Sequence, residues 1–211
     1  MNKLIIIRED GNQSETENIP GLDIEWLGEN GIIKIHSPFK LQKCYFQVAN
    51  NGFIEIKKNT NLFGLYIRLA ASNSSVRIGK NFIAASAQFI LARGGFEQTI
   101  LIGDNCLFSS DISIFTSDGH SIFDTTTKKL LNKKGGNIEI GHHCWLGHGV
   151  CLTKTAKLSN NSVVASKSLV NKSFNEENII LGGVPAKIIK KYIDWDICHP
   201  DEYKLENKND N

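Results

Sequence analysis

The chain has 211 residues, a formal net charge of +2 and 22% charged residues, which suits one large domain or two small ones. This charge balance excludes the basic footprint expected of a nucleic-acid-binding protein. The apolar run at 4–7 is too short for a signal-peptide core, and no apolar stretch is long enough to span a membrane. Five cysteines without a CxxC spacing predict a soluble, cytoplasmic protein of a reducing compartment.

The amino-terminal third shows a loose repeat. Residues 1–21 are polar and poorly patterned, so we predict an irregular segment there. From residue 22 onward, pairs of aliphatic residues one position apart recur, with second members separated by 21, 22, 24 and 38 residues: Ile33/Ile35, Ile54/Ile56, Val76/Ile78, Ile100/Ile102 and Ile138/Ile140. These intervals predict stacked coils with short insertions and one long insertion, over residues 22–182.

The stretch 138–170 carries a strict period of six. Aliphatic residues occupy one register throughout: Ile140, Leu146, Leu152, Leu158, Val164 and Val170. This period matches neither an amphipathic helix nor a lone strand, and a sandwich does not sustain it. It is typical of a parallel β-helix, in which three hexapeptides form one coil of eighteen residues. Ile140 should therefore lie directly above Leu158, and Cys106 and Cys144 fall at small, inward positions where they behave as buried hydrophobes.

A long insertion separates the coil that begins near Ile102 from the one that begins near Ile140. We predict a loop over residues 115–137, which opens with the sequence Ser117-Asp118-Gly119-His120. Loops of this length in compact domains are usually functional or disordered. The insertion is therefore the first place to look for a functional site.

Three motifs together carry a resemblance to a known family. They are the SDGH sequence before the long loop, the I-x-I-G-x-x-x-W-x-G pattern at 138–147, and the GGVPAK sequence at 182–187. The chain resembles the hexapeptide-repeat acetyltransferases, and is most similar to bacterial O-acetyltransferases of capsule and surface polysaccharides, including the polysialic acid type. The resemblance implies an all-β, left-handed parallel β-helix with one inserted loop. It also implies a short carboxy-terminal α-helix over 183–198, with Pro185 in its first turn, followed by a polar tail at 199–211.

The resemblance also implies a catalytic site. In the family, a histidine at the place of His120 is the general base that removes a proton from the acceptor hydroxyl, a role that suits a neutral imidazole. Asp118 or Asp124 could orient this imidazole, or either could be an ordinary turn residue. Trp145 occupies an outward position beside the insertion, where the resemblance gives it an active-site role and packing between subunits is an alternative. Direct transfer without a covalent intermediate on the enzyme is expected.

The expected acyl donor is acetyl-CoA, and no metal is expected. The resemblance assigns donor binding to Gly147, His148, Lys154, Ala165, Ser166 and Lys187, with Lys172 as a further candidate. Some relatives carry arginine in place of His148. The implied acceptor is a carbohydrate, such as a capsular or lipopolysaccharide sugar. The implied assembly is a homotrimer with active sites between subunits.

Two other classes of function fit parts of the sequence. Some hexapeptide-repeat proteins are carbonic anhydrases that hold a metal with three histidines, and His143 and His148 mimic two of these ligands. The third ligand would be expected near Leu107, where no histidine stands. A non-catalytic scaffold that uses the β-helix only for assembly is the other alternative.

Overall fold

The computed structural model describes residues 1–92, 97–132 and 136–203. These residues form 24 strands in three sheets. The strands are β1 (Lys3–Ile7), β2 (Gln13–Glu15), β3 (Leu22–Trp26), β4 (Ile32–His36), β5 (Phe39–Gln42), β6 (Cys44–Val48), β7 (Phe53–Ile56), β8 (Thr60–Phe63), β9 (Leu65–Leu69), β10 (Ser75–Ile78), β11 (Ile83–Ala84), β12 (Ala87–Leu91), β13 (Thr99–Ile102), β14 (Leu107–Phe108), β15 (Ile112–Phe115), β16 (Ile138–Ile140), β17 (Trp145–Leu146), β18 (Cys151–Thr153), β19 (Lys157–Leu158), β20 (Ser162–Val164), β21 (Leu169–Val170), β22 (Ser173–Phe174), β23 (Ile179–Gly183) and β24 (Ala186–Lys191).

The three sheets are the faces of a parallel β-helix. Sheet A has the order β2-β1-β4-β7-β10-β13-β16-β19-β22, sheet B has the order β21-β18-β15-β12-β9-β6-β3, and sheet C has the order β24-β23-β20-β17-β14-β11-β8-β5. Each complete coil passes through sheet A, then C, then B, so the described residues form six complete coils from β4 to β21. We name the three edges of this prism the A–C, C–B and B–A corners.

The register confirms the predicted repeat. Ile140 pairs with Leu158 in adjacent strands of sheet A, as the eighteen-residue coil requires. The aliphatic pairs of the looser repeat also stack in one column, with Ile56 beside Ile78 and Ile102 beside Ile140. These side chains are almost completely buried. Each coil therefore buries its apolar face against its neighbours, and a continuous core runs along the prism.

The middle coils widen this core with aromatic rings. Phe82, Phe89 and Phe108 are fully buried. Phe108 packs edge to face against Phe82, with ring centroids 4.8 Å apart, and against Phe89 at 6.3 Å. Such edge-to-face pairs contribute stability beyond the area they bury. Cys106 and Cys144 are buried free thiols in the same core, which confirms their predicted position.

The long insertion connects β15 to β16, so it projects from the B–A corner. Its base is closed where Gly136 N donates to Thr116 O at 2.9 Å. Thr116 is itself buried and its hydroxyl donates to the side-chain oxygen of Gln98. The insertion therefore starts from a fixed platform, and the coils on either side of it keep their register.

The prediction of an irregular segment over residues 1–21 was wrong. Within it, β1 pairs in parallel with β4 and extends sheet A, while β2 pairs antiparallel with β1. Leu4 and Ile19 are buried against the core. The aliphatic run 4–7 forms a strand because it covers the open apolar end of the first complete coil.

The predicted carboxy-terminal helix over 183–198 was also wrong. Residues 179–191 form a hairpin, in which β24 pairs antiparallel with β23. Ala186 is buried and Ile188 is half-buried, whereas Lys187 and Ile189 are exposed, which is the alternation of a strand. Pro185 therefore lies in the turn of this hairpin rather than in a helix. None of the helices in the described ranges is long and apolar enough to cross a lipid bilayer.

Candidate active site

The inserted loop has a defined internal structure. Phe123 and Leu130 form an isolated antiparallel bridge, and Leu131 N donates to Ile122 O at 2.7 Å. At the tip, Asp124 accepts hydrogen bonds from the backbone N–H groups of Thr126 and Thr127 at 2.9 and 2.6 Å. These hydrogen bonds hold the pKa of the Asp124 carboxyl below its ordinary value. These contacts are those of an ordinary turn residue, one of the two roles left open for Asp124.

His120 lies on the exposed surface of this loop, and Asn132 fixes its backbone. The Asn132 side-chain amide donates to His120 O at 2.7 Å and to Asp118 Oδ2 at 3.0 Å. The amide oxygen of Asn132 accepts from Ile122 N at 2.8 Å. One side chain therefore links both arms of the loop at the level of the predicted base. Sequence reasoning did not single out Asn132, because it stands twelve residues after His120.

Asp118 and Lys154 fasten the loop to the solenoid. Lys154 follows β18 at the B–A corner, one coil beyond the start of the loop, and its ammonium forms an ion pair with Asp118. The hydrogen bond from Lys154, followed by the one from Asn132, lowers the pKa of Asp118 below its ordinary value of 3.8. Asp118 thus supports the loop that carries His120, and Lys154 is engaged with this carboxylate.

Trp145 points outward from sheet C, as predicted, and is 37% exposed. Its neighbours in the sheet are Leu107 and Val163. The prediction that Trp145 lies beside the insertion was wrong. The insertion leaves the B–A corner, which is opposite the face formed by sheet C. Within one chain, the body of the prism separates Trp145 from the loop that carries His120.

The carboxy-terminal segment covers part of Trp145. Trp195 lies 5.8 Å from it between ring centroids and stacks on His143 at 4.4 Å, with the planes 10° apart. His143 Nε2 is 3.0 Å from Trp195 O, and Trp195 Nε1 donates to His143 O at 2.9 Å. This reciprocal contact joins residues 52 positions apart, so no local pattern could have predicted it.

The residues assigned to donor binding separate into two groups. Four of them stack at the C–B corner in successive coils, close to Lys187 on β24: Gly147, His148, Ala165 and Ser166. The ring of His148 is held there by Ser110, whose Oγ is 2.8 Å from His148 Nδ1. Lys154 and Lys172 instead follow β18 and β21 at the B–A corner. Sheet B lies between these two groups.

The geometry gives no support to a metal site. His143 lies at the A–C corner against Trp195, whereas His148 lies at the C–B corner beside Ser110. Among the described residues, no cluster of three or more histidine, cysteine, aspartate or glutamate side chains could hold a metal ion.

Comparisons with known proteins point to one group of enzymes. The polysialic acid O-acetyltransferase of Escherichia coli O1:K1 is 31% identical over 148 residues, which is 68% of this chain and 44% of the relative. The polysialic acid O-acetyltransferase of Neisseria meningitidis is 29% identical over 185 residues, or 87% of this chain and 84% of the relative. The chain thus spans less than half the length of the first relative. No family model matches the chain.

The fold comparison agrees. The crystal structure of the polysialic-acid-specific acetyltransferase NeuO superposes with a TM-score of 0.74 and 25% identity, and the match covers 97% of this chain and 88% of that one. These likenesses confirm the resemblance to hexapeptide-repeat acetyltransferases and the β-helix that it implied. They do not support the alternative of a carbonic anhydrase.

Proposed function

We propose that this chain is an O-acetyltransferase that uses acetyl-CoA to acetylate a hydroxyl group of a carbohydrate, namely a capsular or lipopolysaccharide sugar. The observation that carries this proposal is the likeness to a polysialic-acid-specific acetyltransferase over nearly the whole chain. The ordered loop around His120 adds a chemical reason. The five free cysteines of the chain suit the reducing cytoplasm, where acetyl-CoA is available.

In the proposed reaction, His120 is the general base. Its imidazole takes the proton of the acceptor hydroxyl as the oxygen attacks the thioester carbonyl, and the imidazolium then protonates the departing thiolate. His120 suits this role because it is exposed at the end of a loop arm whose backbone Asn132 fixes. General base catalysis of this kind contributes typically about 10²–10⁴ in rate.

The C–B corner is the proposed binding surface for the donor. Gly147, His148, Ala165 and Ser166 form a column along this corner, and the exposed Lys187 lies at its end, where an ammonium group would meet phosphate. Lys172 is exposed at the B–A corner and is a candidate for the same role. Lys154 is a weaker candidate than the sequence indicated, because its ammonium is paired with Asp118.

We further propose that two copies of the chain complete each active site. Sheet C presents an outward apolar column: Ile83, Leu107, Trp145, Val163 and Ile180. The loop at the opposite corner exposes Ile122, Phe123, Leu130 and Leu131. Exposed apolar patches of this kind mark interaction sites. Contact between two different patches generates a ring when the rotation closes, which fits a homotrimer. His120 of one copy would then meet Trp145 of the next.

The first experiment measures acetyl transfer and donor binding in parallel. The unfolding midpoint of the wild-type protein should rise with millimolar coenzyme A. A coenzyme A concentration of a hundred times the dissociation constant would add about 2.7 kcal/mol to the free energy of unfolding. His120→Ala should lose at least about 10²-fold in transfer rate and keep this shift. Thr125→Ala, an exposed substitution at the tip of the same loop, is the matched control.

Two outcomes would contradict the proposal. Near-wild-type transfer by His120→Ala would remove His120 from the mechanism. The absence of both a midpoint shift and any transfer to sugars would leave the non-catalytic scaffold as the better interpretation.

A further inference from the structure

The A–C corner carries a column of asparagines that is interrupted at one coil. Successive coils place a left-handed residue there, with φ between 52° and 61°: Asn59, Asn81, Asn105, His143, Asn161 and Asn178. Asparagine tolerates this conformation better than most residues. The side-chain amides donate from one coil to the next, at 3.0, 2.7 and 2.7 Å. His143 is the member of this column whose side chain leaves the ladder.

The interruption is where the carboxy-terminal segment docks. Besides the stacking and reciprocal hydrogen bonds of Trp195 with His143, Asn161 Nδ2 donates to Ile193 O at 3.2 Å. Ile193 N donates to Asn178 O at 3.1 Å. Residues 193–195 are thus fastened to three successive coils. The ring of Trp195 is held in place before any ligand arrives.

Beyond this docking point lies a cavity of about 370 Å³, lined by Asp194, Trp195, Asp196, Cys198, Pro200 and Tyr203. Its volume falls in the range of small-ligand pockets, about 300–1,000 Å³. One lining residue, Trp195, also contacts the indole of Trp145, since the two tryptophan rings are 5.8 Å apart. The cavity combines aromatic surface with two carboxylates, and none of the lysines or arginines that the structure describes lines it.

Each lining group has a clear binding chemistry. Aromatic rings such as Trp195 and Tyr203 offer an apolar surface and a polar edge, which suits the C–H face and hydroxyl rim of a sugar. Ionised carboxylates only accept hydrogen bonds, so Asp194 and Asp196 suit hydroxyl donors. Hydrogen bonds from the backbone N–H and side chain of Cys198 lower the pKa of Asp196, which keeps this carboxylate charged. An acidic sugar would meet the like charge of Asp196 here; Asp194 Oδ1 lies 3.3 Å from His143 Nε2.

We propose that this cavity is an acceptor subsite for an uncharged sugar ring, in contact with Trp195, whose indole in turn contacts Trp145. The subsite rests on the proposed acetyltransferase function and narrows its acceptor to neutral glycans. This choice differs from the anionic polymer named for the two curated relatives. Trp195 binds the ring, and Asp194 and Asp196 accept its hydroxyl hydrogens.

The test measures binding without acetyl-CoA, by tryptophan fluorescence in a Trp26→Phe background, so that only Trp145 and Trp195 report. The probes are a neutral hexose tetrasaccharide and an α2,8-linked sialic acid tetramer. We expect the neutral probe to bind at least tenfold more tightly than the sialic acid tetramer. Trp195→Ala should weaken neutral binding at least tenfold, whereas Tyr192→Asn, an exposed substitution in the same segment, should leave it unchanged.

A double variant, Asp194→Asn with Asp196→Asn, should bind the sialic acid tetramer more tightly, so that the difference in affinity between the two probes becomes smaller. The subsite would be overturned if the protein that keeps Asp194 and Asp196 bound the sialic acid tetramer as tightly as the neutral probe, or more tightly. Neutral binding that survives Trp195→Ala would also overturn it. Acetyl transfer is measured separately. Transfer to the sialic acid tetramer but not to the neutral probe would refute the subsite and support the acetyltransferase function. Binding of the neutral probe without transfer to either probe would support the subsite and refute the acetyltransferase function.

Discussion

Asn132→Ala should release the loop that carries His120 without unfolding the solenoid. The substitution removes three hydrogen bonds, to His120 O, Asp118 Oδ2 and Ile122 N, with lengths of 2.7, 3.0 and 2.8 Å. All three are exposed, so each is taken at the low end of the usual net value, about 0.5 kcal/mol. The total of about 1.5 kcal/mol corresponds to roughly a tenfold shift toward the open loop. Residues 117–132 of the loop add nothing to the buried core, so global stability should barely change.

Hydrogen exchange followed by mass spectrometry checks this prediction segment by segment. Amides in 117–132 should exchange about tenfold faster in Asn132→Ala, while those of β16 to β18 keep their protection. Acetyl transfer should fall by up to the same factor. Thr125→Ala serves as the control, because it changes an exposed tip residue of the same loop. Unchanged exchange in the loop, or equal acceleration across the coils, would refute the inference that Asn132 holds the two arms of the loop together.

Three further predictions concern the core, the assembly and the response to acid. Phe108→Ala should cost about 3–5 kcal/mol in urea unfolding, because this fully buried ring packs against two other aromatic rings; a loss below about 1 kcal/mol would contradict that packing. Val163→Lys on sheet C should shift the protein to monomers in sedimentation, whereas an unchanged mass would exclude this face as the interface. The Lys154 pair lowers the pKa of Asp118, so its stabilising effect is present above pH 3.8 and is lost as the pH falls through the lower folded value. Exchange of the loop, corrected for intrinsic rates, should rise in that acidic range in wild type and not in Asp118→Asn.

The sequence predicted the register of the solenoid because each coil repeats the same physical requirement. One aliphatic residue must fill the core at each sheet, so the positions of Ile140 and Leu158 follow from the period alone. The same reasoning worked through the irregular coils, where paired aliphatics survive insertions. It also placed the long loop between two coils, because only a loop can lengthen the interval without shifting the register.

The ends of the chain were mispredicted for a different reason. The run 4–7 was recognised as apolar, but a single strand carries no period that would reveal its place beside β4. At the other end, the resemblance supplied a helix where the residues 186–191 form a strand. A family motif predicted the turn sequence but not the element that follows it.

The candidate site could be predicted only in part. Motif spacing singled out His120 and Trp145, but it could not reveal that they lie on opposite sides of the prism. The supports of the site depend on contacts between distant positions, as with Asn132 in the loop and Trp195 against His143. The chemistry of the site is thus written in short motifs, whereas its geometry depends on the stacking of coils.

The reversed strands at the two ends also bear on solubility. A stack of parallel coils exposes unpaired backbone groups at each end, and such an edge is a template on which further molecules could add to form a fibre. Here β2 and β24 run antiparallel to the strands they cover, so they end the parallel ladders of sheets A and C. Lys187 and Lys190 add positive charge along β24, which disfavours pairing with a second copy, whereas Lys191 is paired with Glu176. At each end of the prism, one of the three sheets therefore finishes in a reversed strand, which disfavours the addition of a further parallel coil to that sheet.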